Sequence, residues 1–304
     1  MTEQHLTQMR GIQTAKTASP LAVHPTGAPL GALIGDVDLR QVDDRLFAAI
    51  HEAWLAHQVV LFPDQHLTDA ELIAFSRRFG ELDLAPIQET GRRFVEGYPE
   101  IYVVSNVIEN GVPIGSLGAG EAVWHTDMSY QDVPPKASIL YALEVPEEGG
   151  DTSFCSMYDA WDRLPADLQA RARRASLKHN GTYNSGGFLR LGAIATHDPR
   201  EAEGSVHPLV CRHPETDRPH LYLGRRRLAW IEGLPLSESD ALLDRVWETA
   251  TDPARVWTHH WAPGDLVLWD NRCAMHRRDA FDAATRRILH RTQIRSTQRP
   301  APLN

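Results

Sequence analysis

The sequence predicts a mainly β protein with peripheral helices (α+β), its strands arranged as an antiparallel double-sheet jelly roll. Three observations lead there. Short apolar runs recur between clusters of Gly, Pro, Asn and Asp, few stretches carry helical periodicity, and strands and helices do not alternate as a parallel sheet requires. No internal repeat or linker divides the chain. One domain is expected over residues 20–298, flanked by a flexible polar tail at 1–19 and a short tail at 299–304.

Taken in order, residues 21–37 set short apolar runs between Pro25, Gly27, Pro29, Gly31 and Gly35, a pattern of strands and tight turns. Phe47, Ile50, Trp54 and Leu55 recur at helical spacing over 46–57, and Val59-Val60-Leu61-Phe62 before Pro63 reads as a buried strand. Thr68-Asp69-Ala70-Glu71 has the form of a capping box, Leu72, Phe75 and Phe79 would face inward, and Gly80 would close the helix. A polar stretch from Pro86 leads to a strand at 101–104. Four glycines between 111 and 120, with no apolar period, suggest a loop that closes over a site. Strands are expected at 137–143 and after the turn Gly149-Gly150-Asp151-Thr152, then a helix over 159–174 and a second glycine-bearing loop over 181–198. Strands resume at 206–211 and 221–224, with a hairpin around 214–218. A helix over 237–249 takes Ser237 as its cap and turns Leu242, Leu243, Val246 and Trp247 inward. Strands at 256–261, 266–269 and 288–295 complete the chain.

Composition narrows the functional classes. With 304 residues, 42% apolar and 23% charged, the chain can bury a substantial core. Its formal charge of −9 argues against a nucleic-acid partner or a membrane surface. Cys155, Cys211 and Cys273 lie far apart without zinc spacing, which fits a reduced compartment and a packing role. No run approaches the roughly 18 to 20 apolar residues of a membrane helix, and the N-terminus lacks a signal-peptide core, so a cytoplasmic protein is expected. The sequence leaves open whether it works as a monomer or a homo-oligomer.

The chemistry gathers around Trp124-His125-Thr126-Asp127-Met128-Ser129-Tyr130. Residues two apart on a strand share a face, so His125 and Asp127 would project into one space. A third ligand from far along the chain would complete two His and one carboxylate, a facial set that leaves positions open and suits non-haem Fe(II) with a cosubstrate and O2. The segment Gly264–Arg272 leads to His276, although His259, His260 and His290 are rivals on spacing alone. Beyond it, Arg287 and Arg291 share one face of a strand, whereas Arg286 and Arg295 read as solvated. An inward arginine is costly unless an anion meets it, and a guanidinium fork suits a carboxylate. A metal and an organic diacid side by side would account for both features. Arg225-Arg226-Arg227 reads as a solvent-exposed corner, and Trp269 as packing beside the metal.

Four segments together resemble the taurine dioxygenase and dichlorophenoxyacetate dioxygenase (TauD/TfdA) family: Trp124-His125-Thr126-Asp127, Gly149-Gly150-Asp151-Thr152, Trp269-Asp270-Asn271-Arg272 through His276, and Arg287 through Arg291. The resemblance runs from Leu30 onward and implies a cupin-like double-stranded β-helix that uses Fe(II), 2-oxoglutarate and O2. By that likeness His125, Asp127 and His276 are the iron ligands. Thr152 and Arg287 hold the distal carboxylate of 2-oxoglutarate, and Arg291 lies near the cosubstrate and the anionic group of the substrate. Ala85 and Gln88 stand where taurine dioxygenases supply a histidine and a tyrosine, which points away from taurine. Two runs, 150–157 and 261–276, are closer to the aryloxyacetate branch. The implied substrate is a small organic carboxylate with an apolar body, with Met128 and Tyr130 in its apolar wall. The resemblance further implies hydroxylation of a C–H bond with release of succinate and CO2. Alternatives are a sulfonate or alkyl sulfate dioxygenase, or a jelly-roll metal-dependent hydrolase, isomerase or binding module.

Overall fold

In the computed structural model, which describes residues 21–85 and 94–303, two sheets face each other across a core. The larger runs in the order Val23–Pro25, Ala32–Ile34, Val59–Phe62, Leu266–Asp270, Ala137–Glu144, Ile288–Ile294, Tyr102–Ser105 and Ser116–Leu117. The smaller runs Trp257–His259, Thr152–Ser156, Ala274–Arg278 and Ala122–His125, all antiparallel. Parallel pairing in the larger sheet joins Ala32–Ile34 to Val59–Phe62 and Tyr102–Ser105 to Ser116–Leu117.

The uninterrupted apolar runs follow from burial of both faces of the larger sheet. Val59, Leu140, Val267, Trp269 and Leu289 meet Phe154 and Ala274 of the smaller sheet. Their neighbours Val60, Phe62, Ile139, Leu266 and Leu268 pack beneath helices Asp44–His57 and Asp69–Arg77 through Ile50, Trp54, Leu72 and Phe75. The first helix is capped by Asp43, which accepts from Leu46 N at 2.7 Å. In the second, Thr68 Oγ1 accepts from Glu71 N at 3.3 Å while Glu71 accepts from Thr68 N at 2.7 Å, the expected capping box. Met275 and Cys155, on the outer face of the smaller sheet, lie in a third cluster with Leu242, Leu243 and Val246 of helix Leu236–Ala250.

Several expectations need correction. The helix expected at 159–174 is two, Met157–Arg163 and Ala166–Ala172, because Pro165 has no N–H to continue the first. Ser237 is not the cap of the last helix; Pro235 takes that place without a side-chain bond. The stretch 111–120 is not an open loop. Val112–Pro113 pairs with Ile108–Glu109 and Ser116–Leu117 joins the sheet edge. Gly115 permits this approach, since a Cβ there would stand 2.7 Å from the Val103 carbonyl oxygen. A strand missing from the expected set, Ala274–Arg278, puts His276 in the smaller sheet, while Arg291 lies in the larger. Ala301–Pro302, expected within a tail, pairs with Cys211–Arg212, and Leu303 N donates to Val210 O at 3.2 Å. Arg225 is not a solvated corner: it is buried and donates to the carbonyls of Tyr183 and Asn180, leaving Arg226 to meet Asp240 and Asp244 outside. The N-terminal tail and Gln88 lie outside the described residues.

Candidate metal and cosubstrate site

Register brings the two histidines together. His276 stands directly across from His125 between paired strands, their rings 4.2 Å apart. His125 closes its strand, and Asp127, two residues on, lies just beyond it with its carboxylate 3.6 Å from His125 Nε2 and 3.9 Å from His276 Nε2. One donor atom from each of the three falls within 4.8 Å of the others, and all three residues are buried. The rival histidines lie beside other carboxylates, not Asp127: His259 is 3.0 Å from Asp265, His260 2.7 Å from Asp151, and His290 2.7 Å from Asp69.

The surroundings prepare this set for a cation. His125 Nδ1 lies 2.7 Å from the Val123 carbonyl, which fixes the proton there and frees the lone pair of Nε2. Burial, with the neighbouring His125, pushes His276 down to about 3, so it stays neutral and ligand-competent. For Asp127 burial alone would raise the carboxyl, but the Arg291 guanidinium outweighs it and holds the group well below the usual carboxylate range. Its second oxygen accepts from Ser138 Oγ at 2.8 Å, and Arg291 Nη1 donates to the first at 3.3 Å. Two imidazole nitrogens and one ionised carboxylate fit a divalent ion with open positions. Trp269 packs 4.8 Å from the His276 ring, as expected.

Beside the metal set lies a second group of donors. Arg287, 1% exposed, donates from Nη2 to Gly150 O at 3.1 Å, but its Nε and Nη1 are buried with no partner among the described residues. Burial and the neighbouring Arg278 push its guanidinium down to about 9, a strain that an anion would relieve. Gly150, at φ +70°, is needed here: a Cβ would sit 3.0 Å from Arg287 Nε. Thr152 is buried across from Arg278 and accepts from Trp261 Nε1 at 2.9 Å. Of the expected apolar wall, Met128 is half-buried at a positive φ of 49°, and Tyr130 is half-buried under the Arg190 guanidinium, 4.4 Å from its ring. Neither contact links them to the metal set. A cavity of about 600 Å³ is lined by Lys136, His213, Tyr222 and Arg272 and by none of the candidate site residues.

Sequence reasoning missed Asn271. Its side chain accepts from Asp127 N at 2.8 Å and donates to Asp127 O at 2.9 Å and Pro135 O at 2.8 Å, pinning the carboxylate's backbone. The flanking Asp270 accepts from Arg272 Nε at 2.8 Å and Nη2 at 2.7 Å, and from His213 Nε2 at 3.0 Å. Ser138 and Trp261 carried no signal of their own, being a strand serine and one of 8 tryptophans.

Known proteins resemble this chain over most of its length. Residues 19–293 match the family model described as taurine catabolism dioxygenase TauD, TfdA family. The chain is 34% identical over 292 residues to an (S)-phenoxypropionate/alpha-ketoglutarate-dioxygenase of Sphingobium herbicidovorans, covering 90% of this chain and 94% of the relative. It is 35% identical over 283 residues to an alpha-ketoglutarate-dependent 2,4-dichlorophenoxyacetate dioxygenase of Cupriavidus pinatubonensis, covering 90% and 96%. A crystal structure of a taurine dioxygenase from Burkholderia xenovorans superposes with a TM-score of 0.77 at 32% identity, covering 93% of this chain and 91% of that one. With the match spanning nearly the whole domain, the chain belongs to the TauD, TfdA family of dioxygenases.

Proposed function

We propose that this Fe(II)- and 2-oxoglutarate-dependent dioxygenase hydroxylates an aryloxyalkanoate-type carboxylate, with His125, Asp127 and His276 holding the metal. Bound iron supplies the coupling of 2-oxoglutarate decarboxylation by O2 to hydroxylation of a substrate C–H bond. The chain's own part is to hold and exclude. Asp127 stays ionised and His276 neutral, so both can bind metal without first losing a proton at neutral pH. Thr152 and Arg287 take the distal carboxylate of 2-oxoglutarate, and the unpartnered Arg287 donors are the observation that carries this reading. Arg291, already 3.3 Å from Asp127, has a buried Nε to spare for the cosubstrate or the substrate carboxylate. Met128 and Tyr130 form the apolar wall beside the reacting carbon. Hydroxylation at the carbon bearing an ether oxygen would then release a phenol.

Relatives named for phenoxypropionate and dichlorophenoxyacetate support the aryloxy class over sulfonates. The test is succinate release from 2-oxoglutarate by the Fe(II)-loaded protein, screened against aryloxyalkanoates, taurine and alkyl sulfates. Aryloxyalkanoates should stimulate succinate and yield phenol in equal amount. Stimulation by taurine or an alkyl sulfate alone would refute the substrate class.

A further inference from the structure

Trp261 bears on this pocket through the direction of a single proton. An indole N–H can only donate, whereas a threonine hydroxyl both accepts and donates. Because Trp261 Nε1 gives its proton to Thr152 Oγ1 at 2.9 Å, one lone pair of the hydroxyl is used and its own proton must turn away from the indole. Among the described residues no acceptor takes that proton. Two further donors in the same state, Nε and Nη1 of Arg287, belong to the arginine that bonds Gly150 O, two residues before Thr152. A hydroxyl proton and a guanidinium edge flanking the turn at 150–152 call for an acceptor with two oxygens and negative charge.

The indole is fixed independently of the threonine. Its ring stands edge-on to His259 at 4.7 Å and 73°. His259 is the cross-strand partner of Thr152 and lies 3.0 Å from Asp265. Asp265 in turn accepts from Ala262 N at 2.8 Å, which closes the turn that carries Trp261. Geometry therefore runs from turn to indole to hydroxyl, and not the reverse.

We infer that Trp261 is a positioning residue which orients the Thr152 hydroxyl as a donor and so helps select a 2-oxo acid bearing a second carboxylate. The inference rests on the proposed assignment of Thr152 and Arg287 to that carboxylate. Donation by the indole also polarises the Thr152 O–H, strengthening the bond it gives.

The test is anaerobic calorimetry of the Fe(II)-loaded protein with 2-oxoglutarate and with 2-oxopentanoate, which lacks the distal carboxylate. Trp261→Phe is expected to weaken 2-oxoglutarate by about fivefold to tenfold, the scale of one ordinary hydrogen bond between neutral groups, and to leave 2-oxopentanoate unchanged. In a Thr152→Val background the same substitution should cost nothing further. Equal weakening of both ligands, an unchanged affinity for 2-oxoglutarate, or full additivity with Thr152→Val would each overturn the inference. If Trp261→Phe does not fold, Trp261→His, which keeps a ring N–H, should retain the preference for the diacid, and its loss would count against the role. Arg287→Ala separates the two levels. A diacid preference that survives it sinks the pocket assignment and Trp261 with it, whereas a preference lost with Arg287 but kept without the indole sinks Trp261 alone.

Discussion

Asn271 closes a ring of two hydrogen bonds with the backbone of Asp127, at 2.8 Å and 2.9 Å, across 144 residues of sequence. The bonds fix the peptide that carries the proposed metal carboxylate, and a third, to Pro135 O, ties in the approach to the next strand. Asn271→Ala leaves these buried groups unsatisfied, at a cost on the order of 2–3 kcal/mol. Loss of an outer support is expected to weaken the metal by about 10- to 100-fold. Denaturant unfolding and a metal titration read the two effects, and unchanged metal affinity would show that Asn271 serves the fold alone.

Asp127 itself should matter more. Removing a direct ligand is expected to weaken metal binding by more than the roughly 100-fold upper range of an outer support. In Asp127→Ala, Arg291 also loses the carboxylate it meets at 3.3 Å. Metal content after desalting, together with succinate formation, checks this. A variant that kept both would move the metal elsewhere.

Arg287 sets stability against function. Its buried guanidinium has two nitrogens without partners among the described residues, so Arg287→Met should stabilise the ligand-free protein by about 1–4 kcal/mol while abolishing saturation by 2-oxoglutarate. Arg287→Lys keeps the charge but not the fork and should raise the 2-oxoglutarate KM by about tenfold or more. Thermal unfolding without ligand tests the first claim. A lower Tm for Arg287→Met would mean the arginine is already satisfied.

Acid should loosen the fold before the carboxylates titrate. Burial pushes His220 down to about 4 from an ordinary 6.5, drives His179 well below its usual range and lowers His207. As pH falls through 6.5 the unfolded chain takes up these protons first, so stability that is intact above 6.5 drains away towards 4. Depressed carboxylates such as Glu215 join only below their ordinary 4.5. Each such histidine contributes a slope of about 1.4 kcal/mol per pH unit in that window. Urea unfolding across it, compared with His220→Gln, measures the slope, and an equally steep variant would exclude His220 as a source.

What the sequence made legible was whatever repeats or caps locally. The Thr68 box, the run Val59–Phe62 and the His-x-Asp spacing all announce themselves within a few residues. His276 was legible by resemblance, since its own strand, Ala-Met-His-Arg-Arg, is too polar to read as one. Its register against His125 arises from pairing across about 150 residues, which no local pattern encodes. Pro165 stands inside an apolar period that continues past it, and the breaker prevails over the period. Asn271 makes three side-chain hydrogen bonds and Trp261 one, all to partners distant in sequence, and one polar or aromatic residue in a strand or turn carries no such address.

The final residues have a further bearing on how the protein can be handled. Ala301–Pro302 covers the backbone edge at Cys211–Arg212, and Leu303 occupies the carbonyl of Val210. A chain shortened by a few residues at this end would bare a strand flank next to apolar Val210 and Leu221, a surface on which copies could add to one another. Fusions are therefore better attached beyond Leu303 than put in place of Ala301–Leu303.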